Sequence, residues 1–239
     1  MKKRKPRERA NPFIPLSDMM TGLMVVFLFI AVSYMLKLKA EQRSKDQVVT
    51  EFRDAKLALY EELRHEFAAD FLPGRWNAEL SKDLSIRFIN DKVHFDFNRA
   101  ELKDEFKAIL SDFFPRYSAI LLKEKYKRNI AEVRIEGHTD SVGNYFYNMF
   151  LSQQRTGQVL HFLLADESSI FGNLLPEDQR QLRYWLTATG YSSGRTLDLR
   201  GQDRFVSGGE EDGERSRRVE FRVITSSDAL VDLLGRMTR

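Results

Sequence analysis

The chain has no cysteine among its 239 residues, so it holds no disulfide, no thiolate nucleophile and no cysteine-ligated zinc. An excess of charge of one sign is also lacking, because 38 Lys and Arg face 35 Asp and Glu and leave a net charge of +3. Nucleic-acid binding depends on a concentrated basic surface, which this balance does not supply. The composition therefore excludes thiol chemistry and predicts no nucleic-acid partner.

Signatures of catalysis and of metal or cofactor binding are equally scarce. The sequence has no Gly-rich stretch ending in Gly-Lys-Ser or Gly-Lys-Thr, so ATP hydrolysis by this chain is not expected. Three histidines, His65, His94 and His161, are scattered without metal-ligand spacing. We therefore predict a protein that is not an enzyme, with no catalytic residue, no metal and no cofactor.

A long apolar run near the N-terminus is the most informative stretch. Met19–Leu36 contains 18 residues without a charge, which at about 1.5 Å per residue span about 27 Å, close to a hydrocarbon core. Six of the first nine residues are basic, and flanking basic residues stay cytoplasmic. The run therefore predicts a membrane helix with its N-terminus inside and, in a bacterium, a periplasmic remainder.

A cleaved signal peptide is the alternative explanation of this run. The run is long for that role, it begins beside Asp18, and no clear Ala-x-Ala cleavage site follows it. We favour an uncleaved anchor in the inner membrane. The predicted layout is a basic cytoplasmic tail at 1–12, a transmembrane helix at 13–37, a helical connector at 38–75 and a globular domain at 76–239.

Asp18 is the one acidic residue at the start of the apolar run. A carboxylate inside a membrane costs several kcal/mol unless it is protonated, hydrated or paired. It could be an interfacial residue favoured by the helix dipole, with Pro15 at the helix start. Alternatively, helical spacing gathers a small and polar stripe on one side of the helix: Asp18, Thr21, Gly22, Val25 and Ser33. Such a stripe predicts that Asp18 faces other helices and can alternate between ionised and neutral forms, as an ion relay requires.

The connector, Lys37–Leu72, is strongly charged and predicted to be helical. Its apolar stripe recurs at steps of three and four: Val48, Phe52, Ala55, Leu59, Leu63 and Phe67. The stripe suits a helix packed on its own domain and equally a parallel pair with a second copy of the chain. Pro73-Gly74 marks the boundary that follows.

The remaining sequence interleaves strands with helices, which predicts an α+β sandwich of one sheet and a helical layer. The first two predicted strands, Leu84–Ile89 and Val93–Phe97, form a hairpin with its turn at Asn90-Asp91-Lys92. The other predicted strands are Ala131–Glu136, Trp185–Tyr191 and Arg218–Thr225. The predicted helices are Glu101–Lys127 (interrupted at Pro115), Tyr145–Leu164, Pro176–Tyr184 and Asp228–Met237.

Asp140 and Arg155 are the candidate binding pair of this domain. Asp140 lies in a loop after a strand, and Arg155 lies 15 residues later in a helix. A carboxylate and a planar bidentate guanidinium that meet in one cleft suit a ligand carrying an amine and a carboxylate. A plain structural salt bridge explains the same two residues equally well.

The surrounding motifs decide between these two explanations. His138-Thr139-Asp140, Gly143, Tyr147-Asn148, Leu151-Ser152, Arg155 and Arg217-Arg218-Val219-Glu220 resemble the OmpA-like peptidoglycan-binding domain over 84–225. The resemblance implies a βαβαβ-type fold that binds the diaminopimelate of peptidoglycan stem peptides. It implies that Asp140 takes the ammonium and Arg155 the carboxylate, and that Asn148 and the backbone near Thr139 are contacts. Arg217 and Arg218 would be supporting residues.

Two segments depart from the common OmpA-like pattern, an insertion at Ser169–Tyr184 and a long acidic loop at Gly208–Glu214. Both affect the outline of the cleft. The aromatic cluster Tyr145, Phe146, Tyr147 and Phe150 is predicted to pack inside the domain.

The segment Ser17–Phe29 resembles the Asp-bearing helix of MotB-type stator subunits of ion-driven motors. Pro15 and Thr21-Gly22-Leu23-Met24 are closer to the subunits of the Zorya anti-phage defence system than to flagellar ones. In this family the Asp carries the transported proton or sodium ion. The resemblance implies a homodimer inside a MotA-like or ZorA-like multi-spanning partner, in a 5:2 complex anchored to peptidoglycan. A flagellar stator subunit and a passive wall anchor are the alternatives.

Overall fold

The computed structural model describes residues 13–72, 74–89, 94–96, 98–165 and 169–226. The chain forms two compact units, one that ends at Glu51 and one that begins at Phe52. The predicted basic tail and the predicted helix Asp228–Met237 lie outside the described residues.

One long helix, α1, extends from Phe13 to Glu66. Within its segment Met19–Arg43, the most apolar stretch of 18 residues has a mean hydropathy of 2.2, so the helix is long and apolar enough to cross a membrane. Every side chain of this segment is exposed, including large apolar ones such as Phe29. This agrees with the predicted membrane helix, since an apolar surface of this size is unfavourable in water.

The last turns of α1 belong to the second unit. Leu59, Leu63 and Phe67 are buried in its hydrophobic core. Arg116 fixes the same segment, because its guanidinium pairs with Glu66 at 2.8 Å and lies 4.7 Å from the centre of the Phe67 ring. Of the two explanations of the connector stripe, packing on its own domain therefore applies to these residues. The second compact unit, which begins at Phe52, includes these last turns of the helix.

The sheet of the second unit has five strands in the described part of the chain. They are β1 (Ala78–Leu80), β2 (Ser85–Ile89), β3 (Ile130–His138), β4 (Leu186–Gly190) and β5 (Arg218–Thr225). Their spatial order is β1-β2-β5-β3-β4, in which only the β3–β4 pair is parallel. The C-terminal end of β3 and the start of β5 therefore lie side by side, with His138 opposite Arg218.

Helices connect the strands, and the longer ones cover one face of this sheet. The helices are α2 (Asp104–Leu121), α3 (Glu124–Lys127), α4 (Tyr145–Leu164), α5 (Ser169–Gly172), α6 (Pro176–Trp185), α7 (Arg204–Ser207) and α8 (Gly213–Ser216). Phe113 of α2 packs on Phe88 and Phe221 at ring separations of 5.2 and 5.0 Å. Strand residues alternate between the faces, so Ile135 and Phe221 enter this core while Glu136 and Glu220 point to the opposite face. The result is the predicted α+β sandwich.

The predicted interruption at Pro115 was wrong, since α2 continues through it. Proline costs a helix one backbone hydrogen bond, here the one to the carbonyl of residue 111. Both Ser111 and Pro115 are on the exposed side of α2, where water can satisfy that carbonyl. Burial of Phe113 and Phe114 on either side of the gap stabilises the continuous helix.

The predicted hairpin of Leu84–Ile89 with Val93–Phe97 was also wrong. Strand β2 pairs instead with β1, which precedes it, and with β5. Residues 90–93 and 97 lie outside the described residues, and Phe95 forms an isolated bridge with Leu102. Strand β1 has only three residues, too short for an alternating pattern, so its pairing with β2 rather than its own sequence defines it.

By contrast, α4 and β5 begin and end at the residues that the sequence predicts. The predicted insertion Ser169–Tyr184 contributes α5 and most of α6. Phe171 and Leu182 of the insertion are buried in the core, so the insertion extends the core rather than lying loosely on the surface.

Candidate functional site

The loop between β3 and α4 carries the predicted binding motif. It is fixed at its start, where the Thr139 N–H donates to the Ser192 carbonyl at 2.9 Å. It is fixed at its end, where the Asn144 side chain caps α4 by accepting from the N–H groups of Phe146 and Tyr147. Between them Gly143 has φ +93°, a left-handed conformation that favours glycine. The loop is thus a tight turn with a defined shape.

Asp140 is held inside this loop by two donors. Its Oδ2 accepts from Arg217 Nη1 at 2.5 Å, and its Oδ1 accepts from the Val142 N–H at 3.2 Å. The side chain is 15% exposed. Each carboxylate oxygen has two acceptor sites, so Asp140 can still accept hydrogen bonds from a ligand.

Arg155 reaches the same place from the third turn of α4. The residue is buried, its Nε donates to the Arg99 carbonyl at 3.0 Å, and its guanidinium lies 4.7 Å from the centre of the Phe95 ring. The ring face and the carbonyl together fix the plane of the guanidinium. Asn148 lies on the same helix, and its Nδ2 donates to the Val142 carbonyl at 2.9 Å, which supports the loop.

These side chains surround one cleft of about 590 Å³. It is lined by five of the predicted residues: Thr139, Asp140, Asn148, Arg155 and Arg217. Sequence reasoning missed Phe95 and Asn98, which precede α2 and form the opposite wall. Nothing local marks them, although Asn98 has φ +56°, a conformation in which asparagine is enriched among non-glycine residues.

The aromatic cluster at the start of α4 does not pack inside the domain as predicted. Phe146 and Phe150 are each 70% exposed, and Tyr145 and Tyr147 are about half exposed. The buried side of α4 is instead defined by residues such as Ser152 and Val159. Of the four aromatic residues in this cluster, Tyr147 lines the cleft.

Arg218 does not reach the cleft. It is buried on the charged face of the sheet, where its Nε donates to Glu220 Oε1 at 2.5 Å. His138 lies beside it, with Nε2 3.4 Å from Glu136 Oε2. Burial, aided by Arg218, lowers the pKa of His138 to about 4. Burial alone would raise the pKa of Glu220, but Arg218 and the other surrounding cations hold it well below its ordinary value.

The donor atoms of Glu136, His138 and Glu220 lie within 4.8 Å of one another, close enough to suggest a metal site. Five guanidinium groups approach the same two carboxylates, however: those of Arg87, Arg134, Arg195, Arg218 and Arg222. A divalent cation added to this cluster would be repelled by these positive charges. We therefore interpret it as an ion-pair network that stabilises the sheet next to the binding loop.

The cleft can bind a ligand that presents separate positive and negative groups. Asp140 offers a carboxylate acceptor, and Arg155 offers a buried, oriented guanidinium. The three residues predicted near the membrane, Asp18, Thr21 and Gly22, lie in α1. Thr21 is exposed there, whereas the Asp18 side chain is outside the described part of the structure.

Comparisons with known proteins give three kinds of match. Residues 94–212 match the OmpA family. The chain is similar to the Zorya protein ZorB of Escherichia coli strain Crooks, with 38% identity over 225 residues, covering 90% of this chain and 88% of the relative. It is also similar to the Zorya protein ZorB of Escherichia coli O139:H28, with 29% identity over 231 residues, covering 93% and 84%.

Among solved structures, a MotB-like protein from Desulfovibrio vulgaris matches with a TM-score of 0.46 and 22% identity, covering 73% of this chain and 93% of that one. A periplasmic domain of MotB matches with a TM-score of 0.38 and 15% identity, covering 64% and 69%. The relative at 38% identity matches 90% of this chain over 88% of its own length. The chain therefore belongs to the ZorB family.

Proposed function

We propose that this chain is the ion-carrying and wall-anchoring subunit of a proton- or sodium-driven rotary motor of the Zorya type. The observation that carries the proposal is the placement of Asp140 and Arg155 around one cleft. Family membership and the apolar helix of α1 support the same conclusion. The subunit binds and moves ions without making or breaking covalent bonds, so it is not an enzyme.

The anchor function follows from the chemistry of the cleft. Diaminopimelate in a peptidoglycan stem peptide carries an ammonium and a carboxylate on one side chain. Asp140 accepts from the ammonium, and the guanidinium of Arg155 donates two parallel hydrogen bonds to the carboxylate. The loop backbone near Thr139 and the side chain of Asn148 border the ligand on the loop side.

The motor function depends on Asp18. Two copies of the chain stand inside a ring of five MotA-like or ZorA-like multi-spanning subunits, with Asp18 packed against the partner helices near Thr21 and Gly22. Ion binding neutralises Asp18 and changes its interaction with those helices, and release resets it. Each charge crossing the membrane potential supplies about 2.3 kcal/mol per 100 mV. Rotation requires a fixed reference frame, which the wall-bound domain supplies.

The orientation that this mechanism requires is a cytoplasmic N-terminus and a periplasmic globular domain in the bacterial inner membrane. The six basic residues among the first nine favour that orientation. The order along the chain is then a basic tail at 1–12, the membrane helix at 13–37, the connector at 38–75 and the binding domain at 76–239, with the end of the connector packed into the domain.

The anchor is tested by binding of the detergent-solubilised full chain to purified peptidoglycan sacculi. Asp140→Ala and Arg155→Ala should each reduce the affinity for sacculi at least tenfold, about the loss of one charge-assisted hydrogen bond. Glu210→Ala and Arg75→Ala, which remove exposed charges of the same sign, are the matched controls and should bind normally. Normal binding by both cleft variants would refute the anchor.

The motor is tested by Asp18→Asn, which keeps the size of the side chain and removes its titration. Phage resistance of cells should be lost, while the variant still co-purifies with its multi-spanning partner. A passive wall anchor would instead retain function with Asp18→Asn and lose it with Asp140→Ala. Subunit counting on the purified complex checks the 5:2 ratio.

A further inference from the structure

The long acidic segment before β5 holds the binding loop at Ser141. The Ser141 N–H donates to Glu211 Oε1 at 2.9 Å, and the Ser141 hydroxyl donates to Glu211 Oε2. One carboxylate thus receives two hydrogen bonds from a single residue that directly follows Asp140. The two partners are 70 residues apart in the sequence, so the contact fixes the loop to a different part of the fold.

Glu211 is itself held in place. Its Oε2 lies 3.5 Å from Arg204 Nη1, and it forms a backbone bridge with Asp198. The following residue, Asp212, donates from its N–H to the Leu197 carbonyl at 2.8 Å. The side chain of Glu211 is 14% exposed, so the carboxylate is partly shielded from water. Such a group can orient a partner with little loss of side-chain freedom on binding.

The same segment holds Asp140 from a second side. Arg217, six residues after Glu211, donates to the Asp140 carboxylate. Asp212 joins the two ends by capping α8, since its carboxylate accepts from the N–H groups of Glu214 and Arg215 at 3.0 Å. The segment 211–217 therefore contacts two consecutive loop residues: Glu211 at its start binds Ser141, and Arg217 at its end binds Asp140.

We propose that Glu211 is a positioning residue of the cleft, which orients Asp140 toward the ligand's ammonium through Ser141 without contacting the ligand. This inference rests on the proposed anchor function, because it assigns a role within that site. The physical reason is geometric: Ser141 is exposed, and without Glu211 its N–H and hydroxyl turn to water. The adjoining Asp140 then samples several orientations, and ligand binding must fix one of them at an entropic cost.

The experiment measures binding of a soluble muropeptide containing meso-diaminopimelate to the detergent-solubilised full chain by calorimetry. The same muropeptide acetylated on the free side-chain amine is the second probe, since it offers Asp140 no ammonium. Glu211→Ala should weaken the free-amine probe about tenfold. It should leave the affinity for the acetylated probe unchanged, which a general loss of structure would not do.

Three further variants sharpen the test. Glu211→Gln keeps one oxygen that can accept from the Ser141 N–H, so it should restore part of the affinity. Ser141→Ala should weaken binding in the natural chain but have no further effect in the Glu211→Ala background, as expected for two residues acting through one contact. Glu210→Ala removes a neighbouring exposed acid and should bind like the natural chain.

The outcomes separate this inference from the function on which it rests. If Asp140→Ala and Arg155→Ala bind the free-amine probe normally, the anchor function itself fails. If those two lose binding while Glu211→Ala behaves like Glu210→Ala, the anchor stands and the positioning role is overturned. Additive effects of Ser141→Ala and Glu211→Ala would likewise overturn it.

Discussion

The guanidinium of Arg217 donates to the carboxylate of Asp140 at 2.5 Å, although 77 residues separate the two in the sequence. The pair forms because β3 and β5 are neighbours in the sheet, so the loop that follows β3 meets the residue that precedes β5. Asp140 is therefore oriented before a ligand arrives. This preorganisation reduces the entropic cost of binding.

Replacement of Arg217 should weaken ligand binding. Arg217→Ala is expected to lower muropeptide affinity about tenfold, since it removes a charge-assisted hydrogen bond of about 1.5–3 kcal/mol. Arg217→Lys keeps the charge but not the planar donor, so its muropeptide affinity should lie between that of the natural chain and that of Arg217→Ala. Calorimetry on the full chain measures both. Tighter binding by Arg217→Ala would instead mean that Arg217 competes with the ligand's ammonium for Asp140.

The buried ion-pair network should be intolerant of losing one partner. Glu220→Gln leaves the buried guanidinium of Arg218 without its closest carboxylate, and breaking a buried pair costs about 3–5 kcal/mol. The measurement is urea unfolding followed by the fluorescence of Trp76 and Trp185, which are both buried in the domain. Glu214→Gln, at an exposed acid, should change stability by less than about 0.5 kcal/mol. An equally small effect for Glu220→Gln would show that the network does not stabilise the fold.

Stability should fall in mild acid because of two buried histidines. Burial lowers the pKa of His94 to about 3, aided by Arg155, and that of His138 to about 4. Both stay neutral when folded but take up a proton when unfolded below about pH 6.5, so their contribution is complete above that pH. It is lost as the pH falls toward 4 and then 3, by up to about 1.4 kcal/mol per pH unit for each histidine.

His94→Phe tests this pH dependence. The ring of His94 lies 4.1 Å from that of Phe106, and neither of its nitrogens has a hydrogen-bond partner among the described residues. An apolar ring should therefore be tolerated, and the slope of stability between pH 7.5 and 5 should fall by about half. His65→Gln, at an exposed histidine, is the control. An unchanged slope for His94→Phe would contradict the assignment.

The end of α1 should contribute to the stability of the globular domain. Leu63→Ala removes a fully buried side chain and is expected to cost about 2–5 kcal/mol in the same urea experiment. Leu57→Ala, on the same helix but 59% exposed, is the matched control with an expected change of less than about 0.5 kcal/mol. Equal effects of the two variants would mean that this segment does not pack on the domain in solution.

Local patterns were sufficient for some elements. Helix α4 has a capping Asn144 and a recurrent apolar face, and β5 alternates along Arg218–Thr225, so the signals for both lie within the elements themselves. Helix α2 shows the opposite case. A proline usually ends a helix, but the burial of Phe113 and Phe114 outweighs the one lost hydrogen bond.

The candidate site divides in the same way. The motif around Asp140 and Arg155 is contiguous enough to be found in the sequence, and the structure brings both to one cleft. Arg217 and Arg218 are adjacent in the sequence and could not be told apart there. Successive residues of a strand point to opposite faces, so the two side chains have different partners. Arg217 contacts Asp140, and Arg218 contacts Glu220.

The sequence by itself determined the apolar helix with its single acid, the alternation of strands and helices, and the family to which the chain belongs, since each depends on residues close together in the chain. Only the tertiary structure decided which distant groups meet: Phe95 with Arg155, Glu211 with Ser141, and the end of α1 with the domain core. The physical reason is that these contacts depend on strand order and packing, which no local periodicity encodes.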